Sequence, residues 1–244
     1  MYRALQNPWI VIAIVFETMA CPPPPPPRFR SNNPDVYYTP GSPPSGMILM
    51  ALKVMEVDAN LKRVDLANQE QMKPEYLKIN PQHTVPAMDD NGFTIGESRA
   101  ILAYLAEMTP IGKLIYPRCP WKRAKINEML YFDVGRLYPH FQGVYDFSGK
   151  NPSDQDKTRL SESLGMFEEY LSRNGWAATD CMTIADLSLL TTVSLLEHLG
   201  YNLSNYTRIA EWLPKMKATV PDYQSVNPPN MDAWKAMYDA SRSK

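Results

Sequence analysis

Three short stretches of the chain carry residue types able to do chemistry. In Gly41-Ser42-Pro43-Pro44 a serine stands directly ahead of two prolines. Proline suits the first turn of a helix, where its missing N–H leaves nothing unpaired, so Ser42 falls at a helix start. Its hydroxyl can cap that helix, a contribution of about 1 kcal/mol, or it can turn into a cleft and donate to an anion. Glu97-Ser98-Arg99 opens a second helical stretch. An acidic residue there suits the helix dipole without any further role. A serine beside unpaired backbone N–H groups is equally a carboxylate site. The third stretch, Asn80-Pro81-Gln82-His83-Thr84-Val85-Pro86, holds a lone histidine, which by itself reads as a surface or packing residue, and a Val-Pro pair that reads as a bend. None of the three specifies a function alone.

The elements that must position them follow from periodicity. Val36-Tyr37-Tyr38 reads as a strand and PGSPPS (40–45) as the turn after it, leading into a helix through MILMALKVME (47–56). Residues 61–66 alternate apolar and polar, as a half-buried strand does. Thr84 to Met88 is strand-like but carries a proline, which belongs at an edge or bend. Asp90-Asn91-Gly92 is a hairpin turn from which Phe93-Thr94-Ile95 pairs back. Residues 97–107 then place Ala100, Ile101, Tyr104 and Leu105 on one helical face. This is a small α/β unit. Beyond the turn-rich stretch 109–120 the strand signals stop. Residues 122–147, 154–173, 183–199 and 209–219 show helical periodicity, with a turn at Asn174-Gly175 and a capping box from Thr183 to Asp186. The segment LSLLTTVSLL is apolar nearly all round and is expected to be the central buried helix. The fold class is therefore α/β plus all-α. The expected division is an extension at 1–33, an α/β domain at 34–111, a linker at 112–121 and a helical domain at 122–244.

Composition narrows the function classes. The 244 residues carry 25 Lys+Arg against 26 Asp+Glu, a net charge of −1. That balance supplies no basic surface for nucleic acid or an acidic membrane. No apolar run reaches the roughly 18 residues that span a bilayer. Cysteines at 21, 119 and 181 form no CxxC pair, zinc spacing or disulfide framework, which suits a reducing, cytoplasmic compartment. The apolar run WIVIAIVF (9–16) resembles the core of a secretory signal and is followed by six prolines, a stiff spacer. Disordered extension and signal-like segment both remain open. The sequons at Asn202 and Asn205 matter only in the secreted case.

Taken together and in order, VYYTPGSPP, KPEYLKINPQHTVPAMDDNGF, GESRAILAYLAE, LYFDVGRLYPHF and TIADLSLL resemble the cytosolic glutathione transferases, and within them the insect delta/epsilon group. The resemblance spans residues 34 to about 240. It implies a thioredoxin-like first domain, a helical-bundle second domain, a homodimer, and glutathione as co-substrate with no metal or other cofactor. Ser42 matches the serine that donates to the glutathione sulfur. Glu97 matches the partner of the γ-glutamyl ammonium, Ser98 holds the neighbouring carboxylate, and Arg99 supports that end. Val85, ahead of a cis Pro86, matches the residue whose backbone pairs with the cysteinyl part. His83 matches a contact to the glycyl carboxylate, and Gln71 stands where relatives often place a histidine for that end. Tyr138 and Phe141, then Tyr145, match positions facing the cleft for a small hydrophobic electrophile, although their helical spacing suits ordinary packing as well.

The implied activity is conjugation of the glutathione thiolate to such electrophiles, a detoxification chemistry. A non-catalytic carrier with the same fold and an interaction module remain as alternatives. Ser42 in place of cysteine disfavours a thiol reductase. Three departures from the family pattern bear on the site: Ser45-Gly46 stands where a Cys-Arg pair is usual, Gln71 replaces a histidine, and Gly96 replaces a bulky aromatic. Pro139 is expected to bend the long helix beside the cleft.

Overall fold

The computed structural model describes residues 33–243. The apolar run, the polyproline stretch and Cys21 lie outside the described residues. Strand β1 (Asp35–Tyr38) is followed by α1 (Pro43–Val54), β2 (Asn60–Arg63), a 3₁₀ turn (Glu70–Met72) and the short α2 (Pro74–Leu77). The hairpin β3 (Ala87–Asp90) and β4 (Phe93–Ile95) leads to α3 (Ser98–Met108). The sheet order is β2-β1-β3-β4. β1 runs parallel to β2, with Val36 opposite Leu61, and antiparallel to β3, with Val36 opposite Met88. Met88 in turn faces Ile95 across the hairpin. Val36 and Met88 are fully buried beneath Met47, Ile48 and Met50 of α1 and Ile101, Leu102 and Leu105 of α3. A parallel pair joined by a helix, then a hairpin and a closing helix, is the expected thioredoxin-like arrangement.

Two expectations for this half need correction. All four residues of β2 are exposed, and the buried residue of the 61–66 stretch is Val64, just past the strand end. β2 lies at the sheet edge, and alternation in the sequence does not say whether another element will cover either of its faces. Pro86 precedes β3 rather than lying within it, because a residue without N–H cannot serve the ladder.

The helical half continues with α4 (Pro110–Ile115), α5 (Pro120–Phe132), α6 (Tyr138–Val144), α7 (Asp154–Asn174), α8 (Ile184–His198), α9 (Thr207–Thr219) and α10 (Tyr223–Arg242). The turn-rich stretch at 109–120 thus contains α4, started by Thr109, whose hydroxyl accepts from the Gly112 N–H at 3.0 Å. The single helix read at 122–147 is interrupted by a π-helical turn, Asp133–Leu137, immediately ahead of Pro139. Proline lacks the N–H that would continue the regular ladder, and kinks concentrate at such places. Every residue of α8 from Ile184 to Leu196 is buried, as expected of a central helix. Its start is fixed by Asp186, whose carboxylate accepts from the Thr183 N–H and hydroxyl, each at 2.9 Å, and from the Ala177 N–H and Trp212 Nε1. Burial pushes the Asp186 carboxyl above the usual range, while those donors pull it the other way.

α10 is the element that the periodicity reading did not find. Pro228 and Pro229 lie inside it and read as helix breakers, yet Pro229 is exposed and Pro228 half-buried while Tyr223, Asn227, Asn230, Met231 and Trp234 are buried. α1 packs against both α8 and α10, and one continuous core joins the two halves. Among the described residues no helix is long and apolar enough to cross a membrane.

Candidate active site

Ser42 occupies the N-cap of α1 with extended backbone, and its Oγ accepts from the Ser45 N–H at 3.3 Å. Pro43 and Pro44 contribute no N–H, the Gly46 N–H is taken by the Ser42 carbonyl at 2.9 Å, and the Ser42 N–H is taken by the Thr39 carbonyl at 3.2 Å. The first-turn donors that a helix start normally offers an anion are therefore used or missing. The Ser42 hydroxyl is an acceptor in its cap contact, so its hydrogen stays available to a ligand. Capping and donation, which the sequence posed as alternatives, are compatible because they use different parts of one hydroxyl.

The loop ahead of β3 is folded by Asn80. Its Nδ2 donates to the Thr84 carbonyl and hydroxyl at 2.9 and 3.1 Å, its Oδ1 accepts from the Gln82 N–H, and the Tyr76 hydroxyl donates to the Thr84 carbonyl at 2.6 Å. The Val85-Pro86 bond is cis. Among the described residues no hydrogen bond takes up the Val85 N–H or C=O. His83 is exposed with φ +47°, and Gln71 lies on the 3₁₀ turn with its Oε1 buried and unpartnered. A side chain on Gly96 would run into Asn80, the nearest approach being 2.4 Å, so the expected aromatic is replaced by the residue that folds this loop.

Glu97 is the N-cap of α3 and accepts from the Arg99 N–H and the Ser98 hydroxyl at 3.3 and 3.2 Å. Arg99 donates from Nη1 to Ser98 Oγ at 3.0 Å and from Nη2 to the fully buried Asp133 at 2.6 Å. Asp133 also accepts from the hydroxyls of Ser188 and Thr192 on α8. Arg99 is thus turned into the protein and reaches the ligand end only through Ser98. A run of polar contacts ties Glu97 in the α/β half to α8 in the helical half. Asp133 and Thr192 carried no signal of their own in the sequence.

A cleft of about 610 Å³ opens between Gly41-Ser42-Pro43 and the long helix, and Tyr138, Phe141 and Tyr145 all line it. Tyr138 and Phe141 stack at 5.9 Å, and Phe141 and Tyr145 at 5.4 Å. Phe141 is only 1% exposed, so it serves as backing for its neighbours. Burial pushes the Tyr138 phenol up to about 12 and also raises Tyr145, keeping both as neutral O–H groups near pH 7. The far wall comes from Phe147 and from Trp234 and Met237 of α10, with Trp234 packed 5.5 Å from Phe141 and 5.2 Å from Phe147. The sequence reading missed these three. The signal was available in the spacing Tyr223, Asn227, Asn230, Trp234, Tyr238, which follows a helical face across the two prolines.

The family model for the glutathione S-transferase N-terminal domain matches residues 35–107, and that for the C-terminal domain matches residues 126–219. The chain belongs to the glutathione transferase family. A delta-class glutathione transferase of Nilaparvata lugens is 39% identical, with a TM-score of 0.82 over 85% of this chain and 99% of that one. The glutathione transferase BmGSTD1 of Bombyx mori is 33% identical, with a TM-score of 0.82 over the same shares. An epsilon-class glutathione S-transferase of the housefly, Musca domestica, is 30% identical, with a TM-score of 0.79 over 86% of this chain and 98% of that one. Within this transferase the expected Cys-Arg pair is again Ser45-Gly46. Gly46 lies under Asn230 of α10, where an added Cβ would come within 2.8 Å of the amide nitrogen.

Proposed function

We propose that this glutathione transferase conjugates the glutathione sulfur to small hydrophobic electrophiles, with the Ser42 hydroxyl donating to the thiolate. The observation that carries this reading is the free hydrogen of the Ser42 hydroxyl, at a helix start that borders an aromatic-walled cleft. A thiol with pKa near ~8.5 is only about 3% ionised at pH 7. Lowering it by roughly two units takes about 2.7 kcal/mol and raises the thiolate to about 75%. One hydrogen bond to a charged acceptor contributes about 1.5–3 kcal/mol. A single serine is then sufficient.

In this reading Glu97 pairs with the γ-glutamyl ammonium and Ser98 holds the adjoining carboxylate, with Arg99 behind it. The backbone of Val85, next to Pro86, takes the cysteinyl part, and His83 and Gln71 serve the glycyl end. Tyr138, Phe141 and Tyr145 flank the electrophile. The working form is a cytoplasmic homodimer, a reading that the free Cys119 and Cys181 suit.

The test is Ser42→Ala, assayed for retention on immobilised glutathione and for turnover of a chloro-dinitro aromatic. Retention should persist, while kcat/KM falls by about 10–100-fold, the loss of roughly 1.4–2.7 kcal/mol of thiolate stabilisation. Retention with no turnover in either protein would instead make the chain a carrier. No retention by either would favour an interaction module.

A further inference from the structure

The Ser42 turn is held from outside its own domain. The Gly41 N–H donates to Asn230 Oδ1 at 2.8 Å, and Asn230 Nδ2 donates to the Ser42 carbonyl at 3.1 Å. One buried side-chain amide from α10 therefore grips the Gly41-Ser42 dipeptide at both ends. The fit depends on Gly41 itself and on Gly46. A Cβ on Gly46 would lie 2.8 Å from Asn230 Nδ2. A Cβ on Gly41, whose φ is +84°, would lie 2.4 Å from Met237 Cε and 3.1 Å from the Trp234 backbone nitrogen. Both contacts tie off backbone groups, so neither consumes the Ser42 hydroxyl. They hold the backbone from which that hydroxyl projects, and a hydrogen bond weakens steeply as its angle departs from linear.

We infer that Asn230 is a positioning residue for thiol ionisation: its amide aims the Ser42 hydroxyl, making the acidity of bound glutathione depend on the C-terminal helix. The inference rests on the Ser42 reading above and adds to it a residue 188 positions away. Arg63 at the end of β2, Asp65 just past it, and Asp146, Tyr138 and Tyr145 from the long helix and its end are the charged and titratable groups that also border this cleft. The variants below leave all of them in place and add no charge.

The experiment titrates glutathione bound to the full-length protein by thiolate ultraviolet absorbance, alongside the pH profile of kcat/KM, for wild type, Ser42→Ala, Asn230→Leu and Gly46→Ala. Asn230→Leu keeps the branched shape and removes both hydrogen bonds. Gly46→Ala pushes the amide aside without removing a polar group, and it serves if the leucine variant does not fold. Both should move the thiol pKa upward by roughly half to one unit, lowering kcat/KM near neutral pH by about three- to tenfold. KM for glutathione should change less than about twofold, since its charged ends bind elsewhere. A pKa and pH profile unchanged in both variants, with Ser42→Ala shifting them, would reduce Asn230 to packing and overturn the inference. An effect confined to KM would do the same. If Ser42→Ala itself leaves the thiol pKa unmoved, the Ser42 reading fails and this inference falls with it.

Discussion

The two ends of the candidate glutathione site are rigid for opposite reasons. At Ser42 the turn contains no charged side chain. It is held by a neutral amide from α10 and by two glycines pressed against neighbouring atoms. At Glu97-Ser98 the geometry is held by charge, with Arg99 between Ser98 and a carboxylate that has no solvent contact at all. The difference suits what each end must meet. A thiolate needs one well-aimed donor. An ammonium with its adjoining carboxylate needs groups whose own charges are already fixed and balanced. Shape-held sites fail when volume is added, and charge-held sites fail when a partner is removed.

Breaking the charged end should have the largest effect. Asp133→Ala leaves the Arg99 guanidinium buried and uncompensated, and losing one partner of such a pair costs about 3–5 kcal/mol. Urea unfolding should show this as a fall in midpoint, and a loss below about 1 kcal/mol would mean that the ion pair is not what holds this end.

The aromatic wall, neutral like the Ser42 side, sharpens the contrast through pH. Tyr138 is raised to about 12 by burial, so its neutral form is favoured in the folded state. Its contribution is intact below the ordinary phenol value near ~10 and is lost as pH rises from there toward about 12, by up to about 2.7 kcal/mol. Stability measured across that window should decline less steeply in Tyr138→Phe than in wild type. Parallel declines would place the phenol in solvent.

The shape-held end should respond more mildly. Gly41→Ala adds, to a residue with positive φ, a Cβ that would run into Met237 and the α10 backbone. Strain and overpacking of this kind cost about 1–3 kcal/mol. Turnover should fall further than stability alone explains. An alanine variant with wild-type thermal stability and rate would show that the turn has slack.

Much of the molecule was legible in the residues. Strand and helix periodicity, the turn at Asn91-Gly92, the Thr183–Asp186 cap and the apolar α8 all appear where local chemistry places them. The elements that escaped are those where a local rule meets a tertiary answer. β2 alternates but is exposed, because no element packs closely over the residues of this edge strand. α10 was hidden by Pro228 and Pro229, which an otherwise well-packed helix tolerates outside its buried face. Missing α10 meant missing Trp234 and Met237, and with them one wall of the cleft.

The sequence by itself determined the family, the succession of an α/β unit and a helical unit, and which short motifs could carry chemistry, since each rests on neighbours in the chain. It also showed three departures without their meaning. Only the tertiary structure paired Gly46 with Asn230 and Gly96 with Asn80, turning two apparent losses into close approaches. It likewise turned Arg99 inward onto Asp133. Hydrogen bonds and steric contacts depend on distance in space, and residues 34 or 188 positions apart meet only after the core has closed.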